Sequence, residues 1–189
     1  MASFGARRPR FAPHEGTQPT DALPAFGEPV TIGRLVSANM TVTLATGELF
    51  ADDVLAESVS EFASADVAME TDDMVDDVAS VVYGATVDAG QVEYKAGDTP
   101  PTGGLAYIKV LMRNQEKFFK GFFYPNAKAA VGNDTAQTKG SSITFGTTAT
   151  AFKIMTWVPT DDWRITKEFT TEAEAIAWCD EMLGVTGTP

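Results

Sequence analysis

The sequence predicts a strand-rich α+β domain in which one or two helices cover a sheet. Three observations carry this. Residues 30–44 alternate with period two: Val30, Ile32, Val36, Met40, Val42 and Leu44 share one parity, and Thr31, Ser37, Asn39, Thr41 and Thr43 the other. Such a run is a strand with one packed face and one polar face. Residues 105–112 and 116–124 flank Arg113-Asn114-Gln115 as the two arms of a hairpin, made heavily aromatic by Phe118, Phe119, Phe122, Phe123 and Tyr124. Residues 71–83 and 170–183 repeat apolar side chains at helical spacing.

In chain order, residues 4–11 read as a short first strand, followed by a Pro/Gly-rich loop through Pro24. The alternating strand 30–44 ends in a turn at residues 45–48. A second extended run, 54–69, alternates less regularly around Glu61 and Phe62, which predicts a bulge or bend. Thr71 is placed to cap the first helix, with Asp72 and Asp73 in its first turn, Met74, Val75, Val78, Ala79, Val81 and Val82 on its buried face, and Gly84 as its stop. A loop with a short strand near Val92 leads to the aromatic hairpin. Residues 141–157 read as a long strand whose Ser142, Thr144, Thr148 and Thr150 form one polar set. Another short strand lies within 161–169. The last helix has Thr170 or Thr171 as cap, early Glu172 and Glu174, and an apolar face of Ala175, Ile176, Cys179, Met182 and Leu183, with Gly184 ending it.

The composition excludes several functions. At 189 residues and 44% hydrophobic the chain is one domain with a real core. Mean hydropathy is near zero, and no apolar run has membrane length. Arg7 and Arg8 are followed by no apolar stretch, so a signal peptide is not expected and the chain should stay in the cytoplasm. The single cysteine, Cys179, sits at core-like spacing and reads as a buried, inert thiol. The single histidine, His14, reads as a solvated loop residue. Net charge is −12, and from residue 52 to 98 thirteen acids face one base, Lys95. That surface repels nucleic acid, whose affinity comes from Lys and Arg displacing counterions.

Reaction centres find little support. Residues 132–141, GNDTAQTKGS, resemble a phosphate loop only superficially: the second glycine and the lysine of the motif fall on Gln137 and Thr138. Asp72, Asp73, Asp76 and Asp77 put carboxylates at helical i, i+4 spacing that could take a divalent cation, but a solvated acidic face is the simpler reading. Adjacent Asp52 and Asp53 would point to opposite sides of a strand, which disfavours a carboxylate hydrolase. Asn39-Met-Thr41 and Asn133-Asp-Thr135 match glycosylation sequons without a secretion signal. No catalytic residue, cofactor or metal is expected.

The order of FGARRPRFAP, AFGEPVTIGRLVSANMTV, GELFADDVLAESVSEF, TDDMVDDVASVVYGA, the PPTGGLAYIKVLMRNQEKFFKGFFYPNAKA hairpin and TAQTKGSSITFGTTATAFKI resembles the major tail proteins of long, flexible-tailed bacteriophages, the siphophage tail tube subunits. The resemblance implies a β-sandwich or barrel-like tail-tube fold over residues 1–156, with a helix packed on the sheet and an extended stacking arm at about 45–66. Residues 157–189 depart from the pattern and are expected to form a strand-helix extension packed on the same domain, toward the tube exterior. The implied function is that of a virion protein, assembled in the host cytoplasm, whose hexameric rings stack into the tail tube that conducts DNA. Implied partners are further copies of itself, a tape measure protein inside the lumen, and tail terminator and distal tail proteins at the ends; DNA passes without being held. Glu57, Glu61 and Asp66 are the candidate lumen-facing acids. Phe50, Asp52, Asp53 and Phe62 are the candidate ring-stacking residues. The tube protein of a contractile injection system and a monomeric acidic binding or decoration module are the alternatives.

Overall fold

The computed structural model describes residues 2–131 and 146–185. Its elements are β1 (Ala2–Pro13), β2 (Val30–Thr31), β3 (Leu35–Ala51), β4 (Val54–Thr71), α1 (Asp76–Tyr83), β5 (Thr86–Asp88), β6 (Gln91–Glu93), β7 (Thr102–Arg113), β8 (Glu116–Val131), β9 (Thr148–Ile154), β10 (Ile165–Phe169) and α2 (Glu172–Met182). Eight strands form one antiparallel sheet in the order β2-β1-β7-β8-β9-β4-β3, with β10 also on β8; β5 and β6 make a separate hairpin. β8 is long enough to serve two neighbours on one edge. Phe119–Phe123 pairs with β10, and Ala127–Val131 pairs with β9.

The sheet rolls up without closing. Its two ends, β2 and β3, are separated in sequence by only Ile32, Gly33 and Arg34, so they lie within about 14 Å of each other at that point. Gly33 holds this crossing with φ 146, and a Cβ there would collide with the Asp73 carbonyl. Inside the roll, Leu105, Tyr107 and Tyr124 of β7–β8 meet Val67, Met69, Phe152 and Ile154 of β4–β9, with α1 packed against the same core through Val78, Ala79, Val82 and Tyr83. A second core lies on the other side of β1–β7–β8. There Ala12, Ala106, Ile108 and Phe123 receive Ala175, Trp178, Cys179 and Leu183 of α2. β7 therefore has both faces buried, which is why residues 105–111 read as an almost unbroken apolar run instead of an alternation.

Several expectations change. The predicted turn at 45–48 is strand: β3 runs on to Ala51, and the chain reverses at Asp52-Asp53, both with positive φ (53° and 62°) as a two-residue type I′ turn requires. Asn114 and Gln115 make the same kind of turn between β7 and β8. The irregularity expected in β4 is present as register shifts that leave Ala63 and Ala56 unpaired. The first helix begins at Asp76, not after Thr71. Thr71 is instead the buried last residue of β4, its hydroxyl donating to the Thr148 carbonyl at the 3.5 Å limit. Without Asp72 and Asp73 in the helix, the i, i+4 carboxylate spacing does not exist. Of the two threonines expected to cap α2, Thr171 does so, and with Glu174 it forms a capping box. Ser142 and Thr144 lie outside the described residues, and Thr148 and Thr150 do not form an outward polar set. Thr150 is buried opposite Met69, its hydroxyl 2.6 Å from Tyr83 Oη.

His14 is not a solvated loop residue either. It bridges to Phe26, its ring lies between those of Phe26 and Trp157, and both ring nitrogens are engaged, Nδ1 with Thr102 Oγ1 (3.1 Å) and Nε2 with the Pro125 carbonyl (2.9 Å). A carbonyl only accepts, so Nε2 carries the proton and Nδ1 accepts from the threonine. Burial depresses the His14 pKa below its ordinary value, against the opposing pull of the Pro125 carbonyl.

Candidate functional site

The side of the sheet facing away from the first core is not covered by any described element over four strands. Directly opposed residues share a face, so the ladder registers spell out its rows. One row is Thr41, Asp66, Lys153 and Lys128; the next is Asn39, Ala68, Ala151 and Ala130; the third is Ser37, Glu70 and Ala149. None of these side chains is large and apolar. The wall is hydroxyl, amide, methyl and charge, which is what strands need when one face is packed and the other meets water. Lys153 Nζ lies 2.9 Å from Asp66 Oδ2, and both groups are about half exposed.

Beyond this wall β3 and β4 continue as a two-stranded arm. Residues 41–61 are exposed on both sides. At about 3.3 Å per residue, β3 projects about 33 Å from Thr41 to Ala51. A free two-stranded ribbon is marginal in water and gains stability only by packing. This one is also greasy: Phe50 is 63% and Val54 65% exposed, and Leu44, Leu49, Leu55 and Val59 are exposed with them. Packing each of those side chains would contribute about 1.5–3 kcal/mol. Val36, Val42 and Leu44, expected on a packed face, are exposed, with none of the described residues covering them. From residue 35 to 71 there are seven acids and no Lys, Arg or His.

Each candidate residue can now be located. Glu57, Glu61 and Asp66 are all exposed. The five-residue step from Glu61 to Asp66 would put them on opposite sides of a regular strand. The extra residue Ala63 restores the phase, so all three fall on the side of the ladder that carries Ser37, Asn39 and Thr41. Glu70, which the sequence reading passed over, joins them. Phe50, Asp52 and Asp53 sit at the arm's tip. Phe62 does not: it anchors the root, stacked on Trp163 at 4.3 Å between ring centroids and 10° between planes. Glu61, Phe62, Thr156, Asp161 and Trp163 line a cleft of about 490 Å³ beside this stack.

Elsewhere the polar groups have structural partners. The Asp72 carboxylate accepts from the Arg34 and Asp73 backbone amides and pairs with the Arg34 guanidinium, and these bonds, the Arg34 amide foremost, lower its pKa. Cys179 is pushed up to about 12, mainly by burial, and is held as a neutral thiol. Among the described residues no group of three His, Cys, Asp or Glu is placed to hold a metal ion, and no helix is long and apolar enough to cross a membrane. Compared with known protein-family models and with curated proteins, the chain gives no match.

Proposed function

We propose that this chain is a structural subunit, not an enzyme, whose copies join into hexameric rings that stack into a hollow tail tube of the siphophage kind. One observation carries the reading: a water-facing wall of small and polar side chains runs straight into a projecting, apolar-tipped arm. A monomer has no use for either. Among the described residues β3 ends the sheet, and no described strand pairs with its outer edge. Left alone, such an edge is an aggregation hazard; joined to the sheet of a neighbouring copy around a ring, it disappears. The four-stranded wall then becomes one segment of a continuous cylinder, with its rows of Thr, Asn, Ser and Ala turned to the bore.

The charge on this wall supports passage without retention. Asp66 is paired with Lys153, and the wall's other two charges, Glu70 and Lys128, are opposite in sign, so the sheet portion is close to neutral. Glu57 and Glu61, which lie along the arm on the same side, supply uncompensated negative charge. Phosphate is then repelled within about 8 Å in physiological salt and finds no run of bare cations to displace its counterions. The tube of a contractile particle would follow the same physics. Negative-stain microscopy of the purified chain, concentrated in steps, tests the class: six-fold rings or hollow tubes are expected, and a chain that stays monomeric at the highest soluble concentration would instead fit an acidic decoration module.

A further inference from the structure

Where β7 and β8 pair, a face of the sheet carries two lysines, opposite in sign to the acidic arm. Lys109 on β7 and Lys120 on β8 are direct cross-strand partners and therefore share a face. Like charges so placed repel each other. Both ammonium groups lie over one ring, Phe122, at 5.4 and 5.8 Å from its centroid, and neither has a carboxylate partner among the described residues. Glu168, the cross-strand neighbour of Lys120 on β10, spends its carboxylate on Arg113 at 3.3 Å. Tyr107 stacks beneath Phe122 at 5.2 Å, so the aromatic floor is rigid. A pair of lysines above an aromatic floor fits a ligand that combines carboxylates with apolar side chains.

The arm is such a ligand. Its tip presents Asp52 and Asp53 in the turn, closed by the Ala51–Val54 pair, with Phe50 and Leu55 as the next pair and Glu48 two residues before Phe50 on β3. We propose that the tip of the β3–β4 arm of one copy seats on the Lys109–Lys120 face of a second copy. This rests on the assembly reading above and names the surface that receives the arm. The contact is heterologous, because arm and receiving face are different patches of the same chain, and heterologous contacts propagate instead of closing into a two-fold dimer. The aspartates neutralise the lysine pair, and the Phe50–Leu55 pair covers the aromatic floor.

Zero-length carbodiimide coupling, which joins a carboxylate directly to a lysine, tests this on assembled protein mixed from ¹⁴N- and ¹⁵N-labelled full-length chains. Mixed-isotope peptides joining the Asp52–Asp53 turn to Lys109 or Lys120 are expected. In parallel, Lys109→Glu/Lys120→Glu should raise the concentration needed for assembly by about tenfold or more, and adding Glu48→Lys/Asp52→Lys should recover it; circular dichroism checks that each variant folds. Tubes that cross-link between copies only through other lysines, or a double variant that assembles like the parent, would overturn the docking site while leaving the tube reading intact. Absence of any association sinks both. Tight binding of an oligonucleotide at physiological salt that the Lys109→Glu/Lys120→Glu chain loses would reassign the face to nucleic acid and overturn the proposal.

Discussion

At the scale of single residues, this protein uses its rare chemistry for structure. His14 and Cys179 occur once each, and both are packed. The sequence made Cys179 legible, since its spacing with Ala175, Met182 and Leu183 marks one face of a helix. His14 was not legible: its Pro/Gly-rich surroundings suggested solvent, and only the long-range bridge to Phe26 and the approach of Trp157 and Pro125 bury it. A consequence follows for pH. The folded chain holds the His14 pKa below 6.5, its unperturbed value. Above pH 6.5 the ring is neutral in both states and its full contribution is present. As pH falls through 6.5 toward the lower folded value, the unfolded chain takes the proton first and stability drops. Denaturant titrations at pH 7.5 and 5.5 should show this loss, and His14→Gln should show a smaller one. Asp72 and Glu174, whose pKa values are lowered by hydrogen bonds, act in a separate window: their contributions are present above the ordinary carboxylate range and are lost only in stronger acid.

At the scale of elements, local signals located most of the strands, the aromatic hairpin and both helices, but residues 30–44, expected as one strand, break at Ile32-Gly33-Arg34 into β2 and β3, β5 was not expected, and the limits depended on partners distant in sequence. Gly47 looked like a turn residue but lies mid-strand opposite Val59, and the reversal falls at Asp52-Asp53, where two acidic residues adopt positive φ. Thr71 looked like a cap and is the end of a strand held by β9. The C-terminal helix reads almost completely from its capping box and apolar spacing, yet its attachment does not. Asp180 binds both Arg8 and Arg10 of β1, and Glu172 binds Arg7 at 2.9 Å. Arg10 is the more deeply placed of these, its side chain 15% exposed. Asp180→Ala should therefore cost about 1–3 kcal/mol in chemical denaturation, because it strands a largely buried guanidinium. Arg7→Ala, at an exposed pair, should cost less than about 1 kcal/mol. The arm is separable in a way α2 is not. Replacing residues 46–60 by Asn-Gly joins Ala45 to Glu61, which already pair, through a favoured type I′ turn and leaves Phe62 stacked on Trp163. That chain should fold with a thermal midpoint close to the parent's and remain monomeric in sedimentation at concentrations where the parent assembles.

At the scale of the whole molecule, the rolled eight-stranded sheet could be anticipated as a class but not as a path. Nothing local says that β8 divides one edge between β9 and β10, or that β2 and β3 return to each other across Gly33. The candidate acids show the same limit. Their exposure was readable from charge, but their common side depended on an unpaired alanine, and Lys153 and Lys128 entered the wall only through register. This sharpens an electrostatic expectation. Glu57→Lys/Glu61→Lys should leave tube formation intact, since both side chains are exposed, and should slow DNA passage in a particle-ejection assay. Lys153→Glu, which frees Asp66 and adds a second negative charge to the wall, should not slow it. Equal ejection rates for all three chains would show that the bore is insensitive to charge.

An object with a prong on one side and a socket elsewhere has a front and a back. Any array grown from it inherits that direction: one terminus always displays bare prongs, the other always displays vacant sockets. The two termini are chemically unlike, so no single plug can finish both, and lengthening proceeds at unequal speeds. In the proposed assembly the prong-bearing terminus, with Phe50 and Val54 uncovered, would be the stickier of the two and the one whose early sealing would keep separate particles from clumping.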